Sequence, residues 1–286
     1  MAKILLKRAF RGVVLWCLIG ILLVNTSSSH AQILRRKRVR RAALGWQKHQ
    51  PWARFDIGAW RKSRTTSQVF DKKGKLKSHV VEETTVTLTK RELLRYTLQY
   101  DRVTIVGGKK LVRKPKFAQI GIFGSQKEQV PDVTENNVTK VFVNGKKIDT
   151  NIRKIILRGT NQSTRFNVYW NKDLSVFPLR VESAISRNTD ETIKSTRLRE
   201  VVALDMPVSV NMKVISSVVY KTKEKNGKSI ATSVEQTSEF VPGGTISLSL
   251  KLLDENGQVS GRRSIQLLSY GGTVRENFRV RRRVRR

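Results

Sequence analysis

Cysteine is almost missing from this chain. Cys17 is the only one among 286 residues, so no intramolecular disulfide framework exists and a Cys-rich zinc site is excluded. Histidine is nearly as scarce. His30, His49 and His79 show no His-x-x-x-His spacing. Acids are few: 22 Asp and Glu stand against 57 Lys and Arg, a net charge of +35. A chain so basic attracts polyanions and steers their approach. Long apolar runs are lacking too. The longest, Val13 to Val24, has 12 residues, where a spanning helix needs about 20.

What is present begins with an address. Lys3, Lys7, Arg8 and Arg11 precede that apolar run, and Ser29-His30-Ala31 follows it before Gln32. Basic start, short apolar core and small-residue site are the parts of a secretory signal peptide. An uncleaved anchor is the rival reading. Lipidation of Cys17 is discounted, because bulky Leu15 and Trp16 precede it. The first 31 residues hold four of the cations and no acid, which leaves +31 on a mature chain of 255 residues. That length can bury a sizeable core without covalent staples. The expected location is outside the cytoplasm: periplasmic, envelope-associated or extracellular.

The cations crowd at the ends. Arg35, Arg36, Lys37, Arg38, Arg40 and Arg41 fill six of seven positions. Arg275, Arg279, Arg281, Arg282, Arg283, Arg285 and Arg286 are opposed only by Glu276. Charges this dense repel one another, which predicts disordered arms in the free protein. For the first arm a second reading stays open. Val39, Ala42, Ala43 and Trp46 fall on one helical face, as in a basic helix lying on an anionic membrane. Scattered lysines such as Lys72, Lys73 and Lys75 read as solvated surface. Four regions are expected: signal 1–31, basic arm 32–50, folded domain 51–271 and arginine tail 272–286.

The domain reads as β throughout. Ile246, Leu248 and Leu250 alternate with Ser247 and Ser249, a period of two. In 164–170, Phe166, Val168 and Trp170 point inward, with Arg165, Asn167 and Tyr169 outward. Long strands over 212–222 and 229–240 flank Asn226-Gly227, a tight-hairpin pair, and similar turns recur at Gly74, Gly107-Gly108, Gly145 and Gly257. The expectation is a mainly β fold: one curved antiparallel sheet or half-barrel with little helix. Thr89-Lys90-Arg91-Glu92 fits a helix capping box, but Tyr96, Leu98 and Tyr100 return to β spacing, so one short helix or none is allowed there. Pro207, after Asp205-Met206, is expected to end a strand. The stretch 116–138, with Gly121, Gly124 and Pro131, reads as a long loop or lid.

Catalytic signals are weak. His79 near Glu82 and Glu83 reads as a surface residue rather than an oriented base. No Gly-x-Ser-x-Gly elbow occurs, Gly107-Gly108-Lys109-Lys110 lacks phosphate-loop spacing, and Asp254-Glu255-Asn256-Gly257 lacks the remaining ligands of a calcium loop. The acid pairs Asp132/Glu135 and Asp190/Glu191 lie in turn-like sequence, although two carboxylates could serve glycoside hydrolysis. Trp46, Trp52, Phe55 and Trp60 interleave with Arg54 and Arg61. They suit either stacking on bases and sugars or packing of the first strand. No cofactor is indicated.

One segment has a familiar pattern. Val141-Phe142-Val143-Asn144-Gly145-Lys146-Lys147-Ile148 leads to Ile152-Arg153, then to Phe166-Asn167-Val168-Tyr169-Trp170-Asn171 and Phe177-Pro178-Leu179-Arg180-Val181-Glu182-Ser183. This resembles exported bacterial β-rich proteins of the lipoprotein-carrier-like half-barrel type. The resemblance, most specific over 139–183, implies a curved sheet around an apolar cavity beneath a helical lid. It assigns no catalytic or binding residue.

The function expected is a non-enzymatic envelope protein that binds anionic polymers or surfaces through its cationic termini. Lipopolysaccharide, acidic polysaccharide and nucleic acid are the partner classes. The alternative is a carrier of lipid or lipoprotein acyl chains in an apolar cavity, and a hydrolase without a recognisable motif is a third reading. An apolar pocket marks the carrier, a filled core with basic outer faces the polyanion binder, and three convergent polar side chains in a cleft the enzyme. The mature N-terminus is expected at Gln32. Intact mass of exported protein checks this, and Met1 retained in a membrane fraction would establish the anchor instead.

Overall fold

The computed structural model describes residues 50–93, 95–121, 132–143 and 145–275, and among them every regular element is a strand. In chain order these are β1 (Trp60–Phe70), β2 (Leu76–Arg91), β3 (Arg95–Val106), β4 (Lys109–Val112), β5 (Lys116–Gly121), β6 (Asp132–Val143) and β7 (Lys146–Arg158). Then follow β8 (Gln162–Trp170), β9 (Arg180–Arg187), β10 (Ile193–Val210), β11 (Lys213–Asn226), β12 (Ser229–Thr237), β13 (Thr245–Leu253) and β14 (Val259–Gly271). All belong to one antiparallel sheet ordered β4-β3-β2-β1-β14-β13-β12-β11-β10-β9-β8-β7-β6, with β5 pairing β3 off that path.

Turn chemistry explains the meander. Asp71 and Asp254 open the same turn. Each accepts two backbone N–H bonds at 2.9 Å, from residues two and four further on. Gly74 and Gly257 supply the positive φ that this turn demands, 76° and 78°. The would-be calcium loop at Asp254 is thus a hairpin turn.

The sheet is open, because β4 and β6 stand at its two ends, but it curls. Strand β10 also touches β14 and β6, each four places away in the strand order. Curling turns one face inward, and the apolar side chains gather there in four clusters. One holds Leu179, Val201 and Tyr220, with Phe177. A second centres on Leu88, Leu98 and Trp52. A third holds Val241 and Ile246, and the fourth Ile155, Val168 and Trp170. Tyr220 is only 1% exposed, and its hydroxyl donates to the Pro178 carbonyl at 2.8 Å. That burial pushes its phenol well above the usual pKa.

Two expectations need correction, and the open choice at Thr89 is settled. Thr89-Lys90-Arg91-Glu92 caps no helix. Residues up to Arg91 complete β2, and the Glu92 carboxylate braces the turn by pairing with Lys90 and Arg95. Period-two burial of Val86, Leu88, Tyr96 and Leu98 outweighs the local capping pattern. The segment 116–138 is not all loop or lid. Its first part is β5, laid on β3 so that Ala118 meets Leu98 and Ile120 meets Tyr96, and β6 begins at Asp132. Residues 122–131 lie outside the described residues. Pro207 does not end a strand either. It sits inside β10, just past register shifts between Val201 and Met206. Asp205 takes a positive φ of 55° there and accepts the Ser216 hydroxyl at 3.0 Å. The bulge lets the strand absorb a residue without an N–H.

Leu88 is completely buried in the second cluster, whereas Val112 on the end strand is 81% exposed. Leu88→Ala is expected to cost about 2–5 kcal/mol of unfolding free energy, and Val112→Ala to stay within about 0.5 kcal/mol. Urea denaturation of both variants checks the assignment of the core.

Candidate functional site

The concave face encloses a cavity of about 390 Å³, a size that suits a small amphiphile. Its floor comes from alternate residues of three adjacent strands. These are Ile155 and Leu157 on β7, Phe166, Val168 and Trp170 on β8, and Val181 on β9. In a strand only every second side chain reaches one face, so their neighbours Arg165, Asn167 and Tyr169 project to the other. Phe177 and Pro178 close one side. The Arg153 guanidinium lies 5.2 Å from the Trp170 ring centre.

At the mouth stand Gln50, Pro51, Gly243 and Gly244. Gly243 has a φ of 76°, and a β-carbon there would fall 2.7 Å from the Trp52 indole nitrogen. Trp52 therefore packs flat on the glycine turn and carries the incoming chain across the cavity edge. Buried Trp52 and the Trp60–Gly271 contact give these aromatics a packing role. Arg54 is buried too and pairs with Glu239 at 2.7 Å.

Polarity changes across the concave face. The register runs Val168, Val181, Arg199, Thr222 on four neighbouring strands, so the apolar floor ends directly at an arginine. Arg199 donates to Glu235 at 3.0 Å and stacks 3.7 Å from the Tyr220 ring centre. Thr245 donates its hydroxyl to the same carboxylate at 3.0 Å. Beyond lie the buried hydroxyls Ser63, Thr65, Thr84 and Thr104 on β1, β2 and β3. Arg199, Glu235 and Thr245 are thus three convergent polar side chains. Arginine keeps its proton, and the carboxylate is already taken by two donors. The trio is suited to recognising charge rather than to moving protons.

Of the predicted polyanion residues, Arg35, Arg36, Lys37, Arg38, Arg40, Arg41, Arg279, Arg281, Arg282, Arg283, Arg285 and Arg286 lie outside the described residues. Arg275 is described, and its place is informative. Its N–H donates to the Arg54 carbonyl at 3.0 Å, Asp56 donates to the Thr273 carbonyl at 3.1 Å, and Phe55 bridges Val274. Backbone pairing thus includes residues 273–275, and the two flanks run side by side there. Pro51 at the cavity mouth is three residues from Arg54. Arg91 faces this junction. Burial first, then the Arg275 charge, depress its guanidinium pKa, and Asp56 opposes them.

The other acids and His79 form no constellation among the described residues. Glu82 and Glu83 point to opposite faces of β2, and Glu83 is held by Lys62 at 2.9 Å and Arg64 at 2.8 Å. Hydrogen bonds from those two cations keep its carboxyl below the usual range. Asp190 caps its own turn at the Thr192 N–H, and Glu191 pairs with Arg165. Asp132 pairs with Arg158 on the surface. The side chain of Glu135 lies outside the described residues. Sequence reasoning missed Arg199 and Glu235. The available signal was parity: each shares the inward register of an apolar or hydroxyl neighbour, Val201 and Thr237.

No protein family and no curated protein matches the chain. Among solved structures it is similar to a protein of Parabacteroides distasonis provisionally assigned as a lipoprotein, at 11% identity over 78% of this chain and 99% of that one, TM-score 0.33. It is similar to a provisionally assigned exported protein with a YmcC-like fold from Bacteroides fragilis, at 7% identity over 76% and 97%, TM-score 0.28. A DUF1329 family protein from Desulfovibrio piger is similar at 11% identity over 83% and 93%, TM-score 0.35.

Proposed function

We propose that this chain is an exported, non-enzymatic protein of the bacterial envelope that carries an acyl chain in its concave cavity and holds to anionic surfaces through its cationic ends. The observation that carries the reading is the apolar floor of the 390 Å³ cavity, built from one face of β7, β8 and β9. An apolar surface of that kind left unfilled forfeits dispersion contacts and contacts poorly held water. An acyl chain supplies both partners at once. The signal-like first 31 residues support export.

The ends serve the same task. Thirteen predicted cations lie in two segments whose flanks pair through Phe55 and Val274 beside the cavity mouth. Charged segments tethered to flanks that meet share a high effective concentration toward one surface. Anionic lipid or lipopolysaccharide is the surface that also offers acyl chains. Acidic polysaccharide and nucleic acid satisfy only the charge.

Titration with decanol, a neutral chain, tests the carrier. Wild type is expected to bind it, and Val181→Trp, which fills the floor, to weaken binding by about tenfold or more while far-ultraviolet dichroism stays unchanged. Equal binding by that variant would overturn the site. The arms are tested with heparin and duplex DNA. If about six charges engage a duplex, affinity should fall about 10³-fold between roughly 50 and 200 mM salt, and deletion of residues 276–286 should flatten the slope. Binding that survives unchanged after removal of both residues 32–49 and 276–286 would move the site onto the sheet.

A further inference from the structure

We infer that the cavity is made for an amphiphile with an anionic oxygen head group, and that the head sits at Arg199 with Arg197 beside it. This rests on the carrier reading above. The floor residues Val168 and Val181 stand directly in register with Arg199, so a chain lying on them meets the guanidinium within about two strand spacings of 4.8 Å.

The donors at that end exceed the acceptors. A guanidinium carries five N–H donors. Arg199 uses Nη2 on Glu235, yet its Nε is buried with no partner among the described residues. Arg61, across the same concavity on β1, repeats the pattern. Its Nη1 donates to the Thr245 carbonyl at 3.4 Å, its plane lies 5.8 Å from the Trp52 ring centre, and its Nε is likewise buried without a partner. Burial lowers the Arg61 guanidinium pKa, with Tyr100 and Glu235 opposing, which places Glu235 within electrical reach of both arginines. Arg197 lines the cavity two residues from Arg199, and its own acid, Glu224, is 4.0 Å away. Around the cavity Arg61, Arg197 and Arg199 thus face two carboxylates, Glu235 and the outer Glu224, while Glu82 on the same face belongs to Arg102.

An ion pair serving only as a brace would leave its charges balanced and its donors spent. Here a desolvated positive surplus remains beside an apolar floor, and a buried donor without an acceptor is costly. A carboxylate or phosphate head supplies both the missing acceptors and the missing charge. Charge-assisted bonds of this kind are roughly twice as strong as neutral ones.

The test compares decanoate with decanol by isothermal titration of the full chain at neutral pH. Decanoate is expected to bind about tenfold or more tightly. The double variant Arg199→Gln/Glu235→Gln removes donor and acid together and leaves no lone charge. It should bring decanoate down to the affinity that the same variant shows for decanol. Arg197→Gln, at an exposed position, gives the same direction without touching the inner pair. Equal affinities of the two ligands for wild type would overturn the head-group site and leave the carrier standing. Failure of decanol and decanoate alike would overturn the carrier reading and the head-group site with it.

Discussion

Among the described residues no helix packs on the sheet, so its apolar face is sheltered against itself. Everything described in residues 50–275 follows from that constraint. Fourteen strands alternate apolar and polar residues, so one face has to leave water. Curling meets the need, and it brings β10 against strands four places away on either side. Here the concavity is only partly filled. Where bulky Tyr220, Phe177 and Leu179 face one another the interior is packed, and where Val168, Val181 and Ile155 line it a cavity is left.

The charges inside are explained by the same geometry. On the outer face an arginine or glutamate in a strand is solvated and contributes little. On the inner face the same residue must be satisfied by protein or ligand. Arg199 finds Glu235 and the face of Tyr220, and Arg61 finds the Thr245 carbonyl and Trp52. These contacts hold the arginines in fixed positions at the boundary between the apolar floor and the hydroxyl-rich wall. A site made of rigid strands is better ordered in advance than one made of loops, and that reduces the entropy lost on binding.

Much of the fold was legible because its signals are local. The Ser/Leu alternation of β13, the inward Phe166, Val168 and Trp170 of β8, and the Asn226-Gly227 turn each lie within a few residues. Local signals also misled. The capping box at Thr89 and the strand-ending Pro207 are sound local expectations that tertiary pairing overrides, through the β2–β3 hairpin and the bulge in β10. The inner site was illegible for a different reason. Arg199 and Glu235 stand 36 residues apart, in strands whose charges look like ordinary solvent-facing ones. Their meeting depends on β10, β11 and β12 being neighbours on an inward face, which no short window contains. The density of charge at the ends was plain, but the pairing of Phe55 with Val274 that sets the two flanks together was not.

The pairing of β1 with β14 has a consequence for how the molecule comes into being. Thr65 lies opposite Ile265, 200 residues later in the chain. The hairpins from β2 to β4 and from β6 to β13 need only near neighbours, so the bulk of the sheet can assemble in the order of synthesis. The seam between β1 and β14 cannot close until the last strand arrives. Until then the edge of β1 is an unpaired row of backbone donors and acceptors, open to association with other chains. Its positively charged side chains, Arg61, Lys62 and Arg64, set like charge against like at that edge in two nascent molecules. Cations on an edge strand are one of the devices by which sheets avoid pairing edge to edge, and this strand carries three of them.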